Sequence, residues 1–140
     1  YFLAVAHLVA PEARFLCIDG AMDGDSAEAL GNWHKVVDKY GIDAQLIVVD
    51  SHDVVLLPPA DLAYVDGDHT AIGAYSDLNL VAHVPRIMVD DYDNPGVKTA
   101  VDLFSKQDGR LVQWEDDGLR HLAFLEKQPS EFWKIMQGAS

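Results

Sequence analysis

Short apolar runs alternate along this chain with stretches whose apolar positions recur at helical spacing. Residues 2–10 are apolar apart from His7 and read as a buried helix that Pro11 ends. A strand over 14–18 closes on Asp19-Gly20. A helix then opens at Asp25, which has capping-box spacing to Glu28. Its apolar face is Ala29, Leu30, Trp33, Val36 and Val37, and Gly41 suits its C-terminal cap. A strand over 45–49 ends in Asp50-Ser51-His52. Val54 to Leu57 is apolar without a clear period, and Pro58-Pro59 stops it. Residues 62–65 form the next strand, ending in Asp66-Gly67-Asp68-His69. Residues 70–82 form a helix with Ile72, Tyr75, Leu78 and Val81 on one side. The strand 86–89 ends in Asp90-Asp91-Tyr92-Asp93. Asn94 caps the next helix, Pro95 takes its first position, and Val97, Val101 and Phe104 line its buried stripe. Strands over 110–114 and 119–125 are joined through Glu115-Asp116-Asp117-Gly118, and Asp-Gly is a strong hairpin signal. Residues 130–136 suit a short terminal helix anchored by Phe132, Trp133 and Met136.

This order predicts an α/β fold with a mostly parallel sheet, covered on both faces and closed by a C-terminal antiparallel hairpin. The strand, helix and strand over 62–89 form a βαβ unit with a right-handed crossover. The carboxyl ends of its two strands then lie on one edge of the sheet, the edge where open α/β sheets bind ligands. Asp66, Asp68, His69, Asp90 and Asp91 would converge there although a whole helix separates them in the chain. Asp19 and Asp50 end two further strands in the same manner. Converging carboxylates repel one another and persist when something positive sits among them or when one of them stays protonated. A hard divalent cation is the simplest solution, and Mg²⁺ takes a few carboxylates while keeping several waters. A lone aspartate at a strand end is more often a helix cap or a solvated loop charge. Two acid clusters on adjacent strands favour a site.

The strand ends Tyr64-Val65-Asp66-Gly67-Asp68-His69 and Met88-Val89-Asp90-Asp91-Tyr92, with the continuation from Asp93 to Phe104 and the closing hairpin, resemble the class I S-adenosylmethionine-dependent methyltransferases. Within them the chain looks most like the small-molecule O-methyltransferases. The likeness spans roughly residues 1 to 125. It implies a Rossmann-like methyltransferase fold and S-adenosylmethionine as cofactor. It matches Asp19 to the acid that accepts hydrogen bonds from the cofactor ribose, and Asp50 and Ser51 to the strand end near the adenine. It matches Asp66, Asp90 and Asp91 to the ligands of a divalent cation such as Mg²⁺. It matches Asp68 or His69 to the position from which a general base takes the proton of the acceptor hydroxyl. The first strand of that fold and the glycine-rich turn after it have no counterpart from Tyr1 onward. The expectation is therefore a single, partial methyltransferase-like domain over 1–140 that lacks the first strand. The Gly-Gly pair usual before the second acidic strand is replaced by Ala82-His83-Val84-Pro85.

The implied activity is cation-assisted methyl transfer to a hydroxyl of a small-molecule acceptor. The competing reading is a catalytically inactive methyltransferase-like domain with a structural or assembly role, which the missing turn and the aromatics Phe132 and Trp133 favour. A phosphate-binding domain is disfavoured, because the chain holds no P-loop or Gly-x-Gly-x-x-Gly pattern. A serine hydrolase lacks its Gly-x-Ser-x-Gly elbow.

Composition narrows the partners. The 140 residues are 49% hydrophobic, enough for a real core, and carry a net charge of −13. That charge argues against a nucleic-acid backbone or an anionic membrane surface as partner. A homo-oligomer is compatible with it. Cys17 is the single cysteine and reads as a buried strand thiol, so no disulfide can form within the chain. No apolar run approaches the length of a membrane span. A cytoplasmic, reducing compartment is the expectation.

Overall fold

The computed structural model describes residues 2–20, 26–116 and 121–127. The chain divides into two compact units, Tyr1–Val54 and Val55–Ser140.

The first unit contains α1 (Phe2–Val9), β1 (Phe15–Asp19), α2 (Ser26–Tyr40), β2 (Ala44–Val48) and a short 3-10 turn (Ser51–Asp53). β1 and β2 run parallel, in register from Phe15 opposite Ala44 to Asp19 opposite Val48. Leu30, Trp33, Val36 and Val37 of α2 are all half-buried, as their helical spacing predicts. Gly41 ends α2 with φ +62°, a conformation glycine adopts without steric cost, and the Ile42 N–H returns to the Val37 carbonyl at 3.1 Å. The cap expected at Asp25 lies outside the described residues. Cys17 is half-buried rather than buried, and its partial burial pushes the thiol pKa up.

The second unit contains β3 (Ala63–Val65), α3 (Ala71–Leu80), β4 (Arg86–Val89), α4 (Pro95–Asp108), β5 (Arg110–Asp116) and β6 (His121–Lys127). Its sheet has the order β3-β4-β6-β5. β3 and β4 are parallel, while β6 is antiparallel to both β4 and β5. Among the described residues, β1 and β2 form a parallel pair in the first unit, and the sheet of the second unit has one parallel and two antiparallel pairings, so it is mixed rather than mostly parallel. The closing antiparallel pair is present as expected. Its connecting turn at Asp117-Gly118, and the aromatic stretch 130–136, lie outside the described residues.

The core of this unit is built by pattern. Ile87 and Val89 alternate inward from β4 and meet Ala123 and Leu125 of β6. Leu78 from α3, Val81 at its C-terminal cap, and Val97, Val101 and Phe104 from α4 pack on them. Asn94 caps α4 by accepting from the Gly96 N–H at 2.9 Å, with Pro95 in the first position. Gly109 ends that helix with φ +67°. Ile72, expected on the apolar side of α3, is 85% exposed, while Gly73 and Ala74 of the same first turn are buried, so the core-facing side of the helix runs through Ala74 and Leu78 instead. The buried Arg110 side chain donates to Asp108 at 2.6 Å and to the carbonyls of Ala82, Val84 and Pro85, tying the turn before β4 to the end of α4. Among the described residues no helix is long and apolar enough to cross a membrane.

Candidate functional site

The register of β3 and β4 sets the site. Val65 lies opposite Val89, and the Asp90 N–H donates to the Val65 carbonyl at 2.9 Å. Asp66 and Asp90, the next residues on each strand, thus leave the sheet at the same level. The loop after Asp66 is shaped by close packing. A Cβ on Gly67 would run into Oδ2 of the buried Asp77, so a side chain there would have to push that carboxylate aside. Asp68 turns back to the start of α3, its Oδ1 accepting from the Thr70 N–H at 2.8 Å and its Oδ2 from the Thr70 hydroxyl at 2.9 Å. Thr70 in turn caps α3 by accepting from the Gly73 N–H at 3.1 Å. This leaves His69 at the crest of the loop.

The second loop is sharper. Asp91 holds φ +52°, a left-handed conformation that costs a non-glycine residue energy, although aspartate tolerates it better than most. That turn points the Asp91 carboxylate back across the rim. His69 Nε2 lies 3.3 Å from Asp91 Oδ2 and 3.8 Å from Asp66 Oδ1. One ligand atom from each of Asp66, His69 and Asp91 falls within 4.8 Å of the others. Asp90 takes a different place. The Tyr64 hydroxyl donates to its Oδ2, and the Asp91 N–H donates to its Oδ1 at 3.0 Å.

Electrostatics agree with this geometry. The Asp66 carboxyl is pushed above its ordinary pKa, first by partial burial and then by the like charges of Asp90 and Asp91, with His69 opposing. Of the five residues expected to converge, Asp66, His69 and Asp91 bring their donor atoms together within the second unit, while Asp68 is turned to Thr70 and Asp90 is held by Tyr64 and the Asp91 N–H. Atoms that share one cation at about 2.0–2.6 Å lie no more than about 5 Å apart, so the Asp66, His69 and Asp91 donors fit a single ion. Two carboxylates and an imidazole suit Mn²⁺ or Zn²⁺ better than Mg²⁺, which prefers oxygen throughout.

In the first unit Asp19 ends β1 with its carbonyl accepting from the Val49 N–H at 3.0 Å. Asp50 caps the turn at Ser51, and its Oδ1 accepts from the His52 N–H at 2.9 Å and meets His52 Nδ1 at 2.8 Å. Those hydrogen bonds draw the Asp50 pKa down. Both acids stand at the carboxyl ends of the parallel pair β1 and β2, as their spacing predicts.

Sequence reasoning missed the part played by Tyr64. Strand parity could have found it: Tyr64 and Asp66 share one face of β3, Met88 and Asp90 the same face of β4, and Tyr64 is opposite Met88.

No family model matches the chain, and no curated protein matches it. Among solved structures it is similar to the crystal structure of 1,6-didemethyltoxoflavin-N1-methyltransferase from Burkholderia thailandensis, bound to 1,6-didemethyltoxoflavin and S-adenosylhomocysteine. The TM-score is 0.50 at 12% identity, over 90% of this chain and 76% of that one. The shared fold is a mixed α/β, Rossmann-like architecture. At that identity the likeness speaks for architecture alone, and the residues of the rim are read from their own geometry.

Proposed function

We propose that this chain is an S-adenosylmethionine-dependent methyltransferase that acts on a hydroxyl of a small molecule, assisted by a divalent cation at Asp66, His69 and Asp91. The observation that carries the reading is the meeting of these three donors at the carboxyl ends of β3 and β4, in a chain whose Rossmann-like architecture is shared with a methyltransferase. Asp19 is assigned to the ribose hydroxyls of the cofactor, and Asp50 and Ser51 to the neighbourhood of its adenine.

Each residue has a chemical task. Asp66 and Asp91 would supply the negative charge for a cation, and a bound cation would relieve their mutual repulsion. A bound divalent cation would lower the pKa of an acceptor hydroxyl and fix its oxygen in place. S-adenosylmethionine, when bound, would supply the methyl group from its sulfonium, leaving as the neutral thioether. The rim's part is to hold the acceptor oxygen in line with the sulfur–methyl bond. Asp68, engaged by Thr70, keeps the loop in shape, and His69 is placed with the donors rather than assigned as base. The acceptor proton leaves to solvent.

A second reading has its own observation. His69 lies between Asp66 and Asp91 at ion-pair distance, so a protonated imidazole would balance the rim without a cation. The structural neighbour is named as an N-methyltransferase, and a metal-free transfer to a nitrogen, with the His69 imidazolium balancing the two carboxylates, would suit that arrangement.

Transfer of a labelled methyl group from S-adenosylmethionine to hydroxylated and to nitrogen-bearing small molecules, with and without a chelator, separates the two. The first reading expects transfer to oxygen that stops on chelation and returns with Mn²⁺. Transfer that ignores the chelator would overturn the cation's role and leave the second reading.

A further inference from the structure

The rim holds three aspartates and one histidine, yet the donors that gather are not the three aspartates. We infer that Tyr64 decides which side chains the rim offers: by holding Asp90 aside it leaves two carboxylates and one imidazole, and so turns the site toward a first-row transition ion such as Mn²⁺, which accepts an imidazole more readily, and away from Mg²⁺. The inference rests on the cation site proposed above.

The geometry is specific. Tyr64 is fixed in the ladder opposite Met88, between the pairs Ala63–Ile87 and Val65–Val89, so its ring has little freedom along the strand. From there its hydroxyl reaches across to the carboxylate 26 residues later in the chain. The other oxygen of that carboxylate accepts from the Asp91 N–H. Both oxygens of Asp90 thus carry a donor from the protein, and turning either toward a cation breaks one of those bonds.

The same Asp91 peptide that donates to Asp90 belongs to the residue in the left-handed turn, whose own carboxylate reaches His69. Asp90 and Asp91 are therefore sorted into separate roles. One braces the strand end, and the other faces the rim. Were Asp90 to join Asp66 and Asp91, the set would be all oxygen and suited to Mg²⁺. With His69 in its place, ligand softness shifts the preference to Mn²⁺ and later first-row ions. Tyr64 acts through Asp90 and is a positioning residue, the kind of outer partner that orients ligands without touching the ion.

The test uses the full chain, titrated by calorimetry with Mn²⁺ alone and with Mg²⁺ alone, and pulsed electron paramagnetic resonance of the Mn²⁺-loaded protein. The wild type is expected to show nitrogen coupling to Mn²⁺, lost in His69→Gln. Tyr64→Phe, with its fold checked by circular dichroism, is expected to reduce the preference for Mn²⁺ over Mg²⁺ about tenfold as Asp90 enters the set. Asp90→Asn, a second route should Tyr64→Phe fold poorly, is expected to leave Mn²⁺ affinity within a few-fold while Asp66→Asn removes it. Mn²⁺ bound without nitrogen coupling, or a metal preference unmoved in Tyr64→Phe, would overturn the inference. Binding of S-adenosylhomocysteine is measured on the same samples. Its absence alongside the expected metal behaviour would end the methyltransferase reading and leave the ligand assignment standing. Failure of the wild type to bind either ion would end the cation site and this inference together.

Discussion

Gly96, in the first turn of α4, lies directly beneath the carbonyl of His69: a Cβ at position 96 would stand 2.2 Å from that oxygen. Backbone meets backbone there, so neither side can yield by rotating a side chain. The start of α4 therefore seats the loop that carries His69. Gly96→Ala should cost about 1–3 kcal/mol of stability, the usual range for overpacking, and should weaken cation binding by displacing His69. Urea unfolding and a Mn²⁺ titration of the same variant check both parts. Unchanged stability would mean the loop is not seated on this helix.

Asp91 should show stability and binding moving in opposite directions. Its left-handed backbone disfavours any side chain, and its charge repels Asp66. Asp91→Gly should raise stability by about 1 kcal/mol through relief of that strain, while removing one donor from the rim. Thermal unfolding with and without Mn²⁺ tests it: the variant should melt higher than the wild type without the ion and gain less from adding it. A variant that melts lower without the ion would show that Asp91 braces the turn.

The raised pKa of Asp66 has a definite sign. A carboxyl whose folded pKa lies above its unfolded value of about 3.9 favours the folded state below that value, and the benefit is lost as pH rises through the folded pKa. Relative to Asp66→Asn, the wild type should therefore lose stability from about pH 4 upward. Added Mn²⁺ should restore it at neutral pH, because the cation favours the ionised form. Melting temperatures of both proteins across this range, with and without the ion, give the comparison. A difference that does not vary with pH would mean Asp66 feels neither burial nor its neighbours.

Arg110 offers a test of the frame apart from the chemistry. Its buried guanidinium serves Asp108 and three carbonyls of the turn before β4. Arg110→Ala leaves those acceptors unpaired and should cost about 3–5 kcal/mol in chemical unfolding. Arg110→Lys should recover only part of it, since an ammonium cannot match the planar fork. A cost below about 1 kcal/mol would show that water replaces the guanidinium readily.

Much of this second unit was legible beforehand. Asn94-Pro95 marks the start of α4 by chemistry that acts within a few residues, and the stripe Val97, Val101, Phe104 fixes its buried side. The acids at the ends of β3 and β4 followed from the parallel crossover, which brings equivalent strand ends together whatever lies between. What escaped depends on contacts distant in sequence. Asp77 of α3 is buried, with its carboxylate close against Gly67 of the loop after β3, a contact no local spacing announces. Ile72 reads as core and faces outward because the buried side of α3 is set by the small Gly73 and Ala74 beside it. The choice between Asp90 and His69 as the third donor turns on a tyrosine hydroxyl from the neighbouring strand and on the backbone angle of Asp91, neither of which any spacing announces.

The most direct measurement is a calorimetric titration of the protein with S-adenosylhomocysteine. Saturable binding that Asp19→Ala weakens is the expected result. A flat titration, from protein shown to be folded, would contradict it.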